Sequence, residues 1–101
     1  MNASNSTPKF SPGQVAATPD ALEAIEASGQ TFEFFLDRHL RADWGDISEW
    51  DWALNDQAVV DGSRILSTYS TLKGVKLWII TEAEGDERRR PATTILLPED
   101  Y

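Results

Sequence analysis

Val75-Lys76-Leu77-Trp78-Ile79-Ile80-Thr81-Glu82-Ala83 is the stretch that decides the fold class. Alternate residues of a strand share a face, so Val75, Leu77 and Ile79 fall on one side and Trp78 and Ile80 on the other. Both sides are apolar, which predicts a central strand with helices over at least one face. Outward from it, residues 64–70 and 93–97 are also rich in β-branched and aromatic side chains. Lys73-Gly74 and the charged segment 84–91 separate the three, and the pattern predicts a three-stranded antiparallel meander.

Toward the N-terminus the period changes to that of helices. Thr18 offers a capping hydroxyl, Pro19 suits the first helical position, Asp20 favours the positive helix end and Gly29 the left-handed exit, predicting a helix over 19–28. A second helix is expected from Phe32 to Arg41, capped by Thr31, with Phe32, Phe35, Leu36, His39 and Leu40 on one face and Phe34 on the polar side. Ser48 and Asp51 form an S-x-x-D capping box that opens a third helix ending near Gly62. On it, Trp50, Ala53, Leu54, Ala58 and Val60 read as the buried stripe, while Trp52 and Val59 project oppositely. The expectation is an α+β fold: three N-terminal helices packed on the C-terminal meander, with room for a short additional strand at 14–17. Residues 1–9 read as a flexible tail and 10–101 as a single domain.

A chain of 101 residues supports one modest core. Its formal net charge of -8 opposes binding to phosphate backbones or anionic lipid and favours basic partners. There is no cysteine and no apolar run long enough to span a membrane, and MNASNSTPKF carries neither the basic nor the apolar part of a secretory signal. The chain is therefore read as cytoplasmic, without disulfides or thiolate-bound metal.

The acid is concentrated. From Asp43 to Asp61 stand Asp43, Asp46, Glu49, Asp51, Asp56 and Asp61 together with Trp44, Trp50 and Trp52, and no Lys or Arg. Acid alone reads as a solvated face and tryptophan alone as core; the mixture points to a surface that holds a partner. Helical phase assigns Trp50 to the core, Trp44 to the helix junction, and Asp46 and Asp51 partly to capping. The candidate partner-binding residues are Asp43, Asp46, Glu49, Asp51, Trp52, Asn55 and Asp56, with Trp52 as the anchor.

Catalytic and metal chemistry find little support. His39, the one imidazole, lies on the apolar helix face beside Phe35 and Leu36, where it reads as structural; Asp43 is placed to orient it. Asp43, Asp46 and Asp51 match neither a calcium loop nor a magnesium-phosphate site. No glycine-rich phosphate loop or nucleophile elbow occurs, so neither an enzyme nor a cofactor is expected.

Four stretches carry a resemblance: 14–19 (QVAATP), 38–46 (RHLRADWGD), 77–83 (LWIITEA) and 93–101 (TTILLPEDY). Together they make most of the chain, from Gln14 to Tyr101, resemble a family of small proteins carried on bacterial plasmids and integrative elements. The departure is after Glu82, where a longer loop with Arg88-Arg89-Arg90 replaces a shorter connection. The resemblance implies a mobile-element setting, in which small acidic proteins defeat restriction or CRISPR defences and some imitate nucleic acid. The leading expectation is a non-catalytic inhibitor whose acidic, DNA-mimic-like face engages a basic nucleic-acid-binding protein or complex, without binding nucleic acid itself or a membrane. The alternatives are a homo-oligomeric accessory module, such as a homodimer joined through Phe34 and Trp52, and a small enzyme using His39 and Asp43.

Overall fold

The structure is a computed structural model that describes residues 7–101. Strand β1 (Gln14–Ala17) is followed by helices α1 (Pro19–Ala27), α2 (Phe32–Leu40) and α3 (Glu49–Asp61), and then by β2 (Ile65–Ser70), β3 (Lys76–Thr81) and β4 (Ala92–Leu96). The fold is α+β. The caps are those the side chains dictate: the hydroxyls of Thr18, Thr31 and Ser48 accept from the backbone N–H groups of Ala21, Phe34 and Asp51.

The sheet differs from the expected three-stranded antiparallel meander. β2, β3 and β4 do form antiparallel pairs, but β1 adds a fourth strand, parallel to β4, and the order is β1-β4-β3-β2. A meander alone would leave one edge of β4 unpaired; β1 pairs with it, from Gln14 opposite Ala92 to Ala17 opposite Ile95. Three helices and two strands separate β1 from β4, a connection long enough to permit the parallel pairing.

One sheet face is covered by α1 and α2. Ala21, Ile25 and Phe35 pack there on Tyr69, Leu77, Ile79 and Ile95. α3 lies along the outer edge of β2 and contributes to a second cluster of Trp44, Ala58 and Ile65, against which Phe10, Trp52 and Val59 pack. The predicted tail at 1–9 lies outside the described residues over its first six positions. Its last residue is tied down, since the Lys9 N–H donates to Leu40 O at 2.8 Å.

The phase of α3 differs from the predicted one, although Ala58 is buried as expected. Trp50 is 74% exposed, Leu54 and Val60 are also exposed, and the inward positions are Trp52, Asn55, Ala58 and Val59. The reason is the edge of β2. Asn55 is buried because its amide donates to Leu66 O at 2.7 Å and receives the Leu66 N–H at 3.4 Å, as a neighbouring strand would. One step along the same edge, Thr68 N–H donates to Trp44 O and Asp46 N–H to Thr68 O, forming a parallel bridge at Gly45. Gly45 has φ +81°, and a Cβ there would sit 2.0 Å from Thr68 O, so the close approach needs glycine.

Candidate functional site

Rotating α3 by half a turn redistributes the acidic block. Asp43 makes an ion pair with Arg38 at 2.8 Å, and this hydrogen bond holds its carboxyl below the usual carboxylate range. Asp56 accepts from the Trp44 indole N–H at 3.0 Å. Asn55 is buried, and Trp52 is partly buried against the second cluster. Trp52 is therefore not the projecting residue: it faces Trp44 and Ile65 because the Asn55 bond to β2 sets the helix rotation. Glu49 and Asp51 remain exposed, but about 160° apart around the helix, so the predicted residues do not form one continuous face.

What the rotation exposes is a groove. α3 on one side and Tyr101 on the other flank the sheet face opposite α1 and α2, enclosing about 520 Å³. Leu66, Trp78 and Ile80 form its floor, Leu54 its wall, and Asp51 and Asp61 stand along its helical side. Ten residues separate these acids, about 15 Å of helix. Trp50 precedes Leu54 by one turn and extends the same stripe into solvent. At the far wall Tyr101 meets Trp78 edge to face and accepts from the Arg64 guanidinium at 2.8 Å. Asp61 is held deprotonated below its ordinary range by the Ser63 hydroxyl and N–H.

His39 occupies a different part of the molecule. It is fully buried, with Nδ1 2.5 Å from Ser67 Oγ and Nε2 2.8 Å from Thr81 Oγ1. The hydrogens in this chain are assigned by elimination. Thr93 donates to Pro12 O, so Thr81 donates to Thr93, Nε2–H donates to Thr81, and Nδ1 accepts from Ser67. Burial, with a smaller contribution from the Arg90 charge, pushes the imidazole down to about 3. Asp43 is not its partner; that carboxylate turns to Arg38 and its backbone carbonyl receives the Tyr69 hydroxyl. Predicted together, His39 and Asp43 are thus kept apart.

Periodicity missed Phe10, Arg90 and the groove floor. Phe10 stacks on Trp44 and meets His39 edge to face. Arg90, read as part of a charged loop, is 6% exposed. Two-sided apolarity in β3 was the available signal for the floor, because covering one face with helices leaves Trp78 and Ile80 on the other.

The two α3 tryptophans give a direct check on the rotation. Trp50→Ala is expected to change stability by less than about 0.5 kcal/mol, and Trp52→Ala to cost about 2–4 kcal/mol, in urea unfolding. Equal effects would contradict the geometry.

Comparison of the chain with protein-family models, with curated proteins and with solved structures gives no match. Among the described residues no group of His, Asp and Glu is arranged to hold a metal ion, and no helix is long and apolar enough to cross a membrane.

Proposed function

We propose that this protein acts by binding, without catalysis, and that it holds a basic segment of a partner protein in the groove between α3 and the open sheet face. The observation that carries the reading is an apolar floor of Leu66, Trp78 and Ile80 beside two carboxylates, with an exposed tryptophan one helical turn before the Leu54 wall. Apolar side chains of the partner fill the floor, Trp50 and Leu54 provide the anchor, and cations spaced by about 15 Å meet Asp51 and Asp61. The net charge of -8 draws such a partner in at long range and makes the encounter salt-sensitive.

The partner class we favour is basic nucleic-acid-handling machinery of a host defence system, in keeping with the mobile-element resemblance. In this reading the surface resembles nucleic acid in charge but gains specificity from Trp50 and the groove. The site narrows from Asp43, Asp46, Glu49, Asp51, Trp52, Asn55 and Asp56 to Trp50, Asp51, Leu54 and Asp61, with Glu49 at the margin.

The test is a pulldown from host lysate with wild type and with the triple variant Trp50→Ala, Asp51→Lys, Asp61→Lys, each at low and high salt. A basic nucleic-acid-binding protein recovered by wild type at low salt, and lost with either high salt or the variant, is the expected outcome. Equal recovery by a variant with wild-type circular dichroism overturns the assignment.

A further inference from the structure

The two edges of the sheet are treated differently. At β2 the chain uses a buried asparagine and a glycine-dependent bridge to close the edge. Among the described residues nothing comparable stands at β1. Gln14 N–H donates to Pro91 O and Thr18 N–H to Ile95 O, so in the parallel ladder Gln14, Ala16 and Thr18 face β4, while Val15 and Ala17 face outward. Among the described residues no hydrogen bond reaches the Val15 or Ala17 N–H. The strand also lacks the usual protection against pairing: Gln14-Val15-Ala16-Ala17 holds no charge and no proline.

An apolar trough continues from this open edge. Val15, Ala17, Leu22 and Phe32 line about 240 Å³ beside the strand. Leu22 and Phe32 are shared with a second hollow of about 180 Å³, whose lining includes Glu26 and Glu33. Both glutamates are exposed, and neither takes part in an ion pair among the described residues.

We propose that the outer edge of β1 accepts an extended, basic segment of a partner protein as a fifth strand, with its apolar side chains in the Val15–Phe32 trough and a cation at Glu26 and Glu33. Two outward residues offer two N–H and two C=O groups, enough to fix register. A residue opposite Val15 or Ala17 shares their side of the sheet, so the segment alternates apolar residues over the trough with polar residues toward solvent. Charge selects the occupant: a second copy of this chain brings another -8, whereas a Lys- or Arg-bearing strand is attracted. This surface and the α3 groove lie at opposite edges of the sheet, so the proposal stands without the groove reading.

The probe is a blocked peptide alternating Lys and Val, with a control peptide of the same sequence N-methylated at every backbone nitrogen. Amide hydrogen exchange followed by NMR is expected to slow at least about tenfold at Val15 and Ala17 with saturating peptide, with no change at Trp50 and Leu54. The methylated peptide, unable to donate to the edge, is expected to bind about tenfold more weakly or worse. Val15→Pro, which removes one outward donor, and Leu22→Lys, which leaves the backbone edge intact but charges the trough, are each expected to weaken the parent peptide similarly. Equal binding of methylated and parent peptides overturns the proposal even where the proline variant fails to fold. Protection at α3 in place of β1 also overturns it, as does protection of Val15 and Ala17 in peptide-free samples that sediment as dimers, which assigns the edge to a second copy.

Discussion

Arg90→Ala is expected to lower the unfolding free energy by about 3–5 kcal/mol, while Arg88→Ala and Arg89→Ala change it by less than about 0.5 kcal/mol. Three adjacent arginines differ because their surroundings do. Arg88 and Arg89 are exposed, and the contact of Arg89 with Glu87, at 3.6 Å between mostly exposed side chains, contributes little. Arg90 donates through Nη2 to Ala58 O at 2.9 Å, and through Nη1 to Ser63 O at 2.8 Å and Glu82 O at 3.0 Å. One planar group thereby joins the last turn of α3, the loop into β2 and the segment after β3, with Phe10 beneath it. The charge is tolerated at low exposure because the negative end of α3 faces it. Alanine takes a donor from three carbonyls, of which Ala58 O keeps the Gly62 N–H, and opens a void over Phe10; each lost charge-assisted bond costs about 1.5–3 kcal/mol before water re-enters. Lysine recovers only part of the loss, since one ammonium cannot reproduce the fork. Urea unfolding of the three alanine variants decides the matter. Equal behaviour of Arg88, Arg89 and Arg90 would show that the loop is not anchored as described.

How much was legible in the sequence follows from what each element depends on. β3 could be read because burial on both faces requires Leu77, Trp78, Ile79 and Ile80 in succession. α1 and α2 could be read because Thr18 and Thr31 act through local bonds three residues away and Pro19 through its own fixed φ. The partner of β1 could not: Gln14–Ala17 is four residues without alternation, and β4 lies beyond three helices and two strands. α3 failed for a different reason. Trp50 and Trp52 are about 200° apart around the helix, so either can define an apolar face. The choice is made by Asn55, a polar residue that apolar counting penalises and that is buried only because Leu66 presents an unpaired peptide group. Arg90 hides similarly, since its role depends on carbonyls from three separated segments.

That dependence on distant peptide groups also relocates the candidate site. The acid-tryptophan block looked like one surface because its residues are adjacent in sequence, but Asp43, Asn55 and Asp56 are engaged within the fold. The exposed Trp50 and Leu54 survive as candidates with Asp51, and Asp61 joins them although its carboxylate already accepts from the adjacent Ser63. They mark a groove whose floor comes from β2 and β3, a combination no local pattern could reveal.

Stability is expected to fall by about 2–3 kcal/mol between pH 6.5 and 4.5 through His39 alone. Its ordinary value of 6.5 is depressed to about 3 in the fold, first by burial and then by the positive charge of Arg90. A depressed value means that the unfolded chain binds the proton first. The stability due to neutral His39 is therefore fully present above pH 6.5 and drains away as pH falls toward 3, at up to about 1.4 kcal/mol per unit. The geometry gives the cause without reference to titration: Nδ1 is an acceptor for Ser67, Nε2 already donates to Thr81, and Phe10 and Trp44 pack on the ring and keep water out. A proton on Nδ1 forces Ser67 to withdraw its hydrogen and adds a second cation near Arg90, with no carboxylate bonded to the ring. Asp43 is held below its ordinary range by Arg38 and also withdraws stability in acid, but mainly below the ordinary carboxylate value of 3.8. The two contributions separate in His39→Gln, which keeps polar atoms near both hydroxyls and cannot titrate. Urea unfolding at half-unit pH intervals is expected to show a slope between pH 6.5 and 4.5 in wild type and a nearly flat profile in the variant. Parallel profiles would mean that the imidazole reaches solvent and that the Ser67–His39–Thr81–Thr93 chain is open.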